Sequence, residues 1–266
     1  MRTCGRELPP IQLTKLLAPR FSSVDALRSH PTLYAETSAK LANLADDQEA
    51  SLATTKRAAK RDQLNAVFLL ATLKPKRSGQ EFSHTETLCE VVIECLREHD
   101  VKSEIVRLVE HDIPAGTKNN MGKGDEWPGI LQKILASEII VFATPIWWGV
   151  QSSLMQRVIE RLDELHEELR ETGKSRLTNK VGGIVITGEE DGEQHITGNI
   201  SNFLLSMGVT LPPLCAVTYQ DEYTRATRKS LGRKFREDKQ TSKAAEKMAK
   251  NLAFFARLLK ANNIPE

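Results

Sequence analysis

Between Asn65 and Val217, five short strand-like runs alternate with stretches whose apolar residues recur every three or four positions. That alternation limits the fold more than any other feature. The runs span 65–72 (NAVFLLAT), 101–109, 138–143 (EIIVFA), 181–187 (VGGIVIT) and 209–217. Each is short enough for a strand, and 65–72 is apolar enough to be covered on both faces. Between them lie helix signals. Ser83 and Glu86 predict a capping box, and Leu88, Val91, Val92, Cys95, Leu96 and His99 follow as one buried face. A short helix is expected at Ile130–Leu135 after Trp127-Pro128, and one long helix from Leu154 to Leu169, capped at Gly173. Further helices are expected over Ile196–Met207, closed by Gly208, and over Ala244–Leu259. Pro212-Pro213 puts part of the fifth run at an edge or a bend. Strands separated by helices predict parallel pairing with right-handed crossovers, an α/β doubly wound sheet. Such sheets bind ligands beyond the carboxyl ends of their strands. The loops after the first, third and fourth runs are therefore the expected seat of function.

The flanks carry less information. Residues 1–64 are polar and helix-prone without a strand signal, and read as a helical or partly disordered extension to a domain over 65–266. The Lys56-Arg57 and Lys60-Arg61 pairs fit a solvated helix face. From 219 a basic linker is expected to lead into the last helix. The formal net charge of +2 gives no reason to expect a nucleic-acid partner. No apolar run approaches the ~18 residues of a membrane span, so no membrane partner is expected. Arg2, Arg6, Lys15 and Arg20 against the single acid Glu7 faintly resemble an organellar leader, but a cytoplasmic location is the expectation. The four cysteines form no C-x-x-C pair and have no histidine at zinc spacing. Cys89 and Cys95 would lie roughly 240° apart around a helix. Free thiols and no metal site are expected.

The first loop, Thr72 to Thr85, is rich in hydroxyls and basic residues and feeds a helix N-terminus. Amides and dipole there favour a phosphate, although the same pattern suits a solvated basic loop with a good cap. It contains neither the Walker A nor the dinucleotide glycine pattern. The second loop, Thr144-Pro145-Ile146-Trp147-Trp148-Gly149-Val150, sets two of the chain's three tryptophans beside a glycine. That suits a planar ring, and equally a core or subunit contact. The third, Thr187-Gly188-Glu189-Glu190-Asp191-Gly192-Glu193, allows tight turns near a ligand or a plain helix cap.

Taken together, 65–219 resembles the flavodoxin-like NAD(P)H-dependent FMN reductases, which include relatives of iron–sulfur flavoproteins. Thr72-Leu73-Lys74 and Ser83-His84-Thr85 stand where that family has S-P-R and S-N-T. Pro145-Ile146-Trp147-Trp148-Gly149, ending in Ile159-Glu160-Arg161, matches P-x-aromatic-aromatic-G followed by I-D-R. Thr187-Gly188 through Gly192 matches T-G-x-x-x-G. The resemblance implies a five-stranded flavodoxin-like sheet in the order 2-1-3-4-5. It also implies FMN held non-covalently. Its phosphate would lie at Thr72, Lys74, Ser83, His84 and Thr85. Its ring would lie between Pro145, Ile146, Trp147, Trp148 and Gly149 on one side and Thr187, Gly188, Glu189 and Gly192 on the other. NAD(P)H would be the reductant and a small molecule such as a quinone or flavin the acceptor, with no protein nucleophile needed. A homodimer or homotetramer is implied too. Departures are a first loop lengthened around Lys76 and Arg77, Gln156 in place of a lysine, and no cysteine in 113–125 for a cluster. Two other readings stay open: a flavodoxin-type electron carrier, which the near-neutral charge disfavours, and a non-catalytic protein that kept the fold.

Overall fold

The computed structural model describes residues 63–76, 82–189, 191–220 and 227–265. The extension expected over 1–64 therefore lies outside the described residues, apart from its last two. Five strands form one parallel sheet: β1 (Leu64–Leu70), β2 (Val101–Arg107), β3 (Ile139–Trp147), β5 (Val181–Gly188) and β6 (Ala216–Gln220). Their order is β2-β1-β3-β5-β6, the flavodoxin-like order expected. A two-residue strand, β4 (Val150–Gln151), folds back antiparallel on the end of β3.

Side chains of the three central strands alternate strictly between two cores, as period-2 geometry requires. Phe68, Val141 and Val185 face the layer that holds α1 (His84–Arg97), α6 (Arg228–Glu237) and α7 (Lys239–Ala261). Leu69, Phe142 and Ile184 face α2 (Trp127–Ala136), α3 (Ser153–Arg161), α4 (Asp163–Thr172) and α5 (Glu193–Ser206). Each fully buried Leu, Ile or Phe is worth about 1.5–3 kcal/mol of transfer free energy, so these two layers fix the register of the sheet.

Several expectations need correction. The fifth strand is not 209–217 but Ala216–Gln220; upstream, only Thr210 bridges Val181. Pro212 and Pro213 lack ladder donors, and Leu214 has a φ of +57°, so the chain turns before it pairs. The single helix expected over 154–169 is two helices joined at Leu162. The basic stretch after 219 contains a helix, α6, started by a Thr227/Ser230 capping box. The box expected at α1 is half made. Ser83 accepts the Glu86 N–H, but the Glu86 carboxylate turns away to pair with Arg107. Among the described cysteines, Cys89 is buried and Cys95 and Cys215 are half-buried, and all three are free. Burial pushes the Cys89 thiol well up. Among the described residues no helix is long and apolar enough to cross a membrane.

Candidate functional site

β1 stops pairing with β3 at Leu70 and Ala143, while β3 continues to Trp147. That overhang is where Pro145 is tolerated: it pairs only toward β5, opposite Thr187. Beyond the overhang the chain reverses through Trp148 and Gly149, both at positive φ (+50° and +79°), and returns as β4. Two-residue hairpins of the primed class need this backbone. Ser152 then anchors the return. Its Oγ donates to the Ala71 carbonyl at 2.7 Å, and its N–H donates to Thr144 Oγ1 at 3.0 Å. It also caps α3.

The three loops meet at this rim. Thr85 Oγ1, in the first turn of α1, lies 2.7 Å from Thr187 Oγ1 at the end of β5, and both residues are buried. Gly192 packs on Gly149 so closely that a β-carbon on it would come within 2.7 Å of Gly149 Cα. A β-carbon on Gly188 would meet the Ile146 side chain at the same distance. A cavity of about 370 Å³ opens between the loops, within the range of small-molecule sites.

Twelve of the fourteen residues expected to hold a ligand line this cavity: Thr72, Lys74, Ser83, His84, Thr85, Pro145, Ile146, Trp147, Trp148, Thr187, Gly188 and Glu189. Gly149 and Gly192 do not line it; they hold two of its walls together. Leu73 is an added lining residue. Sequence reasoning also missed Arg107, at the end of β2. It donates to the Lys74 carbonyl and to the Glu86 carboxylate. A single cation inside the apolar run 105–109 was the available signal. Glu110 adds a second tie from the same side, accepting the Lys76 N–H at 2.6 Å.

The donor set suits a phosphate. Thr72 Oγ1 accepts the Lys74 N–H at 3.3 Å, and Ser83 Oγ accepts the Glu86 N–H at 3.2 Å. Each hydroxyl has one proton left to give, and among the described residues neither gives it to a protein acceptor. Both residues line the cavity, as does Lys74, and Ser83 caps the N-terminal end of α1. Hydroxyls oriented as donors at a helix N-terminus suit an oxyanion. The lining also includes the apolar side chains of Pro145, Ile146 and the two tryptophans. Trp148 is 86% exposed, so this part of the lining is also the way in from solvent.

Over 156 residues the chain is 40% identical to the divalent metal cation transporter MntH of Mycobacterium bovis, a match covering 57% of this chain but 22% of the transporter. Over 164 residues it is 32% identical to the 8-demethyl-8-aminoriboflavin-5'-phosphate synthase of Streptomyces davaonensis, covering 58% of this chain and 62% of the synthase. The chain thus spans less than two thirds of either relative. Among solved structures, that of RosB with a bound 8-demethyl-8-formylriboflavin-5'-phosphate intermediate superimposes with a TM-score of 0.63. The identity is 26%, covering 76% of this chain and 82% of RosB. Residues 69–221, more than half of the chain and the segment that supplies every wall of the cavity, match the profile of the NADPH-dependent FMN reductases, and the protein belongs to that family.

Proposed function

We propose that the protein is an NAD(P)H-dependent oxidoreductase that holds FMN non-covalently in the rim cavity and serves a small acceptor such as a quinone or a flavin. The observation that carries this reading is the meeting of three loops, distant in sequence, around one cavity with a polar and an apolar half. The name of one relative and the intermediate bound in one solved structure add support, since both concern phosphorylated flavins. When bound, FMN supplies the redox chemistry, accepting hydride from a nicotinamide and returning electrons to an acceptor.

The chain's own residues bind and orient. Thr72, Ser83 and Thr85 offer hydroxyls to the phosphate and Lys74 offers charge, with the α1 dipole behind them. Backbone N–H groups of Trp147–Gly149 and of Gly188 and Glu189 serve the polar edge of the ring, where negative charge develops on reduction. Gly149 and Gly192 keep those two segments at a fixed spacing. Trp147 and Trp148 border the space left for the second reactant.

The test is direct. FMN added to the purified protein is expected to lose fluorescence on binding, and anaerobic NADPH is then expected to bleach its visible absorption. A protein that takes up no FMN overturns the reading. Uptake of FMN without NADPH or NADH oxidation replaces it with that of an electron carrier.

A further inference from the structure

Arg107 is 6% exposed at the end of β2, and a cation this buried is uncommon without a partner. It has two. One guanidinium nitrogen donates to the Lys74 carbonyl in the first loop, and another donates to the Glu86 carboxylate in the first turn of α1. Glu86 is itself 4% exposed. A carboxylate there suits the helix dipole, but it has the wrong sign beside a phosphate. Glu86 N–H is bonded to Ser83 Oγ on the cavity wall, so the acid and the proposed phosphate site share one helical turn. Arg228 of α6 also approaches Glu86, at 3.8 Å, but it is half exposed and pairs more closely with Glu90.

We infer that Arg107 is a positioning residue for the phosphate half of the site: it locks the first loop to the start of α1 and cancels the charge of Glu86, so that a phosphate monoester meets a net positive field. The inference rests on the reading of the cavity as an FMN site. Arg107 does not line the cavity; it acts through Lys74 and Glu86. Arginine reaches its two acceptors from two separate nitrogens of a rigid, planar fork, whereas the three donors of a lysine radiate from one atom and cannot span the same two positions as well. With Arg107 gone, the buried Glu86 carboxylate lacks its close partner, a costly state beside a site for an anion.

The experiment compares FMN with riboflavin, which lacks the phosphate. Both are titrated by fluorescence quenching against wild type, Arg107→Met, Arg107→Lys and Arg107→Met/Glu86→Gln, with a thermal melt of each. The readout is the preference for FMN, the ratio of the two dissociation constants. Arg107→Met is expected to cut that preference by about tenfold or more, leaving riboflavin affinity within a few fold. Arg107→Lys is expected to fall between, and adding Glu86→Gln is expected to restore most of the loss. A structural role alone would weaken both ligands equally and would give no rescue; either result overturns the inference. If Arg107→Met does not fold, Arg107→Lys decides, and a wild-type preference in that variant overturns it. The underlying site reading fails differently: wild type itself would bind neither flavin, or would bind both equally.

Discussion

Trp148 holds a φ of +50° with its side chain 86% exposed. A bulky residue in the left-handed region costs about 1–2 kcal/mol, and its exposure returns little of that through burial. Strain of this kind persists where the surroundings enforce it, commonly at functional sites. Trp148→Gly would relieve the strain but add chain entropy to the unfolded state, about 0.5–1 kcal/mol. The two nearly cancel. We expect unfolding stability within about 1 kcal/mol of wild type, with flavin affinity or turnover reduced severalfold. Wild-type affinity and rate in that variant would remove Trp148 from the site. Gly192 is the opposite case. Its φ is +143°, and a β-carbon would lie 2.7–2.9 Å from three backbone atoms of Gly149, which cannot move aside as a side chain can. Gly192→Ala should cost about 2–4 kcal/mol in denaturant unfolding and weaken FMN binding together with stability. An alanine variant with unaltered affinity would show that the spacing of these loops does not matter to the ligand.

At the scale of elements, the segment between β2 and α2 depends on α3. Arg157 donates to the Ile113 carbonyl, and Arg161 donates to the Pro114 and Lys118 carbonyls and to Asp125. The Arg161–Asp125 pair is fully buried at 2.6 Å. Burial would raise the Asp125 pKa, but Arg161 and the N–H groups of Met121 and Trp127 outweigh it and hold the carboxyl below its usual range. A carboxyl lowered in the folded state contributes stability that is present above its unfolded pKa, about 4, and is lost as pH falls through the folded value. Wild type should therefore lose stability below about pH 4. Asp125→Asn should lose about 3–5 kcal/mol at neutral pH and show a flatter acid limb; an equally steep limb in urea titrations would place the loss at other carboxyls. The same elements show what the sequence could reveal. The central strands and α1 were legible because their apolar pattern faces only the core. The break at Leu162 was not, since Val158, Leu162 and Leu165 continue one buried stripe through it. α6 was hidden because it buries only Leu231, Gly232 and Phe235, and its Arg228 and Arg236 are matched to Glu90 and Glu94 of α1, a pairing between distant segments. Arg107 was hidden for the same reason: its partners lie 33 and 21 residues away in sequence.

For the molecule as a whole, the cavity exists only while three crossovers hold three loops at one edge, so a ligand spanning them is linked to the unfolding of the entire sheet. Most of the cavity lining was legible in advance because strand order alone sends those loops to the same rim; what strand order cannot say is how tightly they touch. A ligand that binds only the folded state stabilises it by RT ln(1 + [L]/Kd), about 2.7 kcal/mol at a hundredfold excess over Kd. For a domain of this size about 2–4 °C accompanies each kcal/mol. Saturating FMN should thus raise the melting temperature by roughly 5–10 °C. Riboflavin at the same concentration should raise it less if, as proposed, the hydroxyls of Thr72 and Ser83 serve the phosphate that riboflavin lacks. Hydrogen exchange should slow together over 83–87, 145–152 and 187–189 when FMN is present. Protection confined to one of these segments would mean that the ligand sits on a single loop, and an equal shift with both flavins would mean that the basic first loop does not read the phosphate.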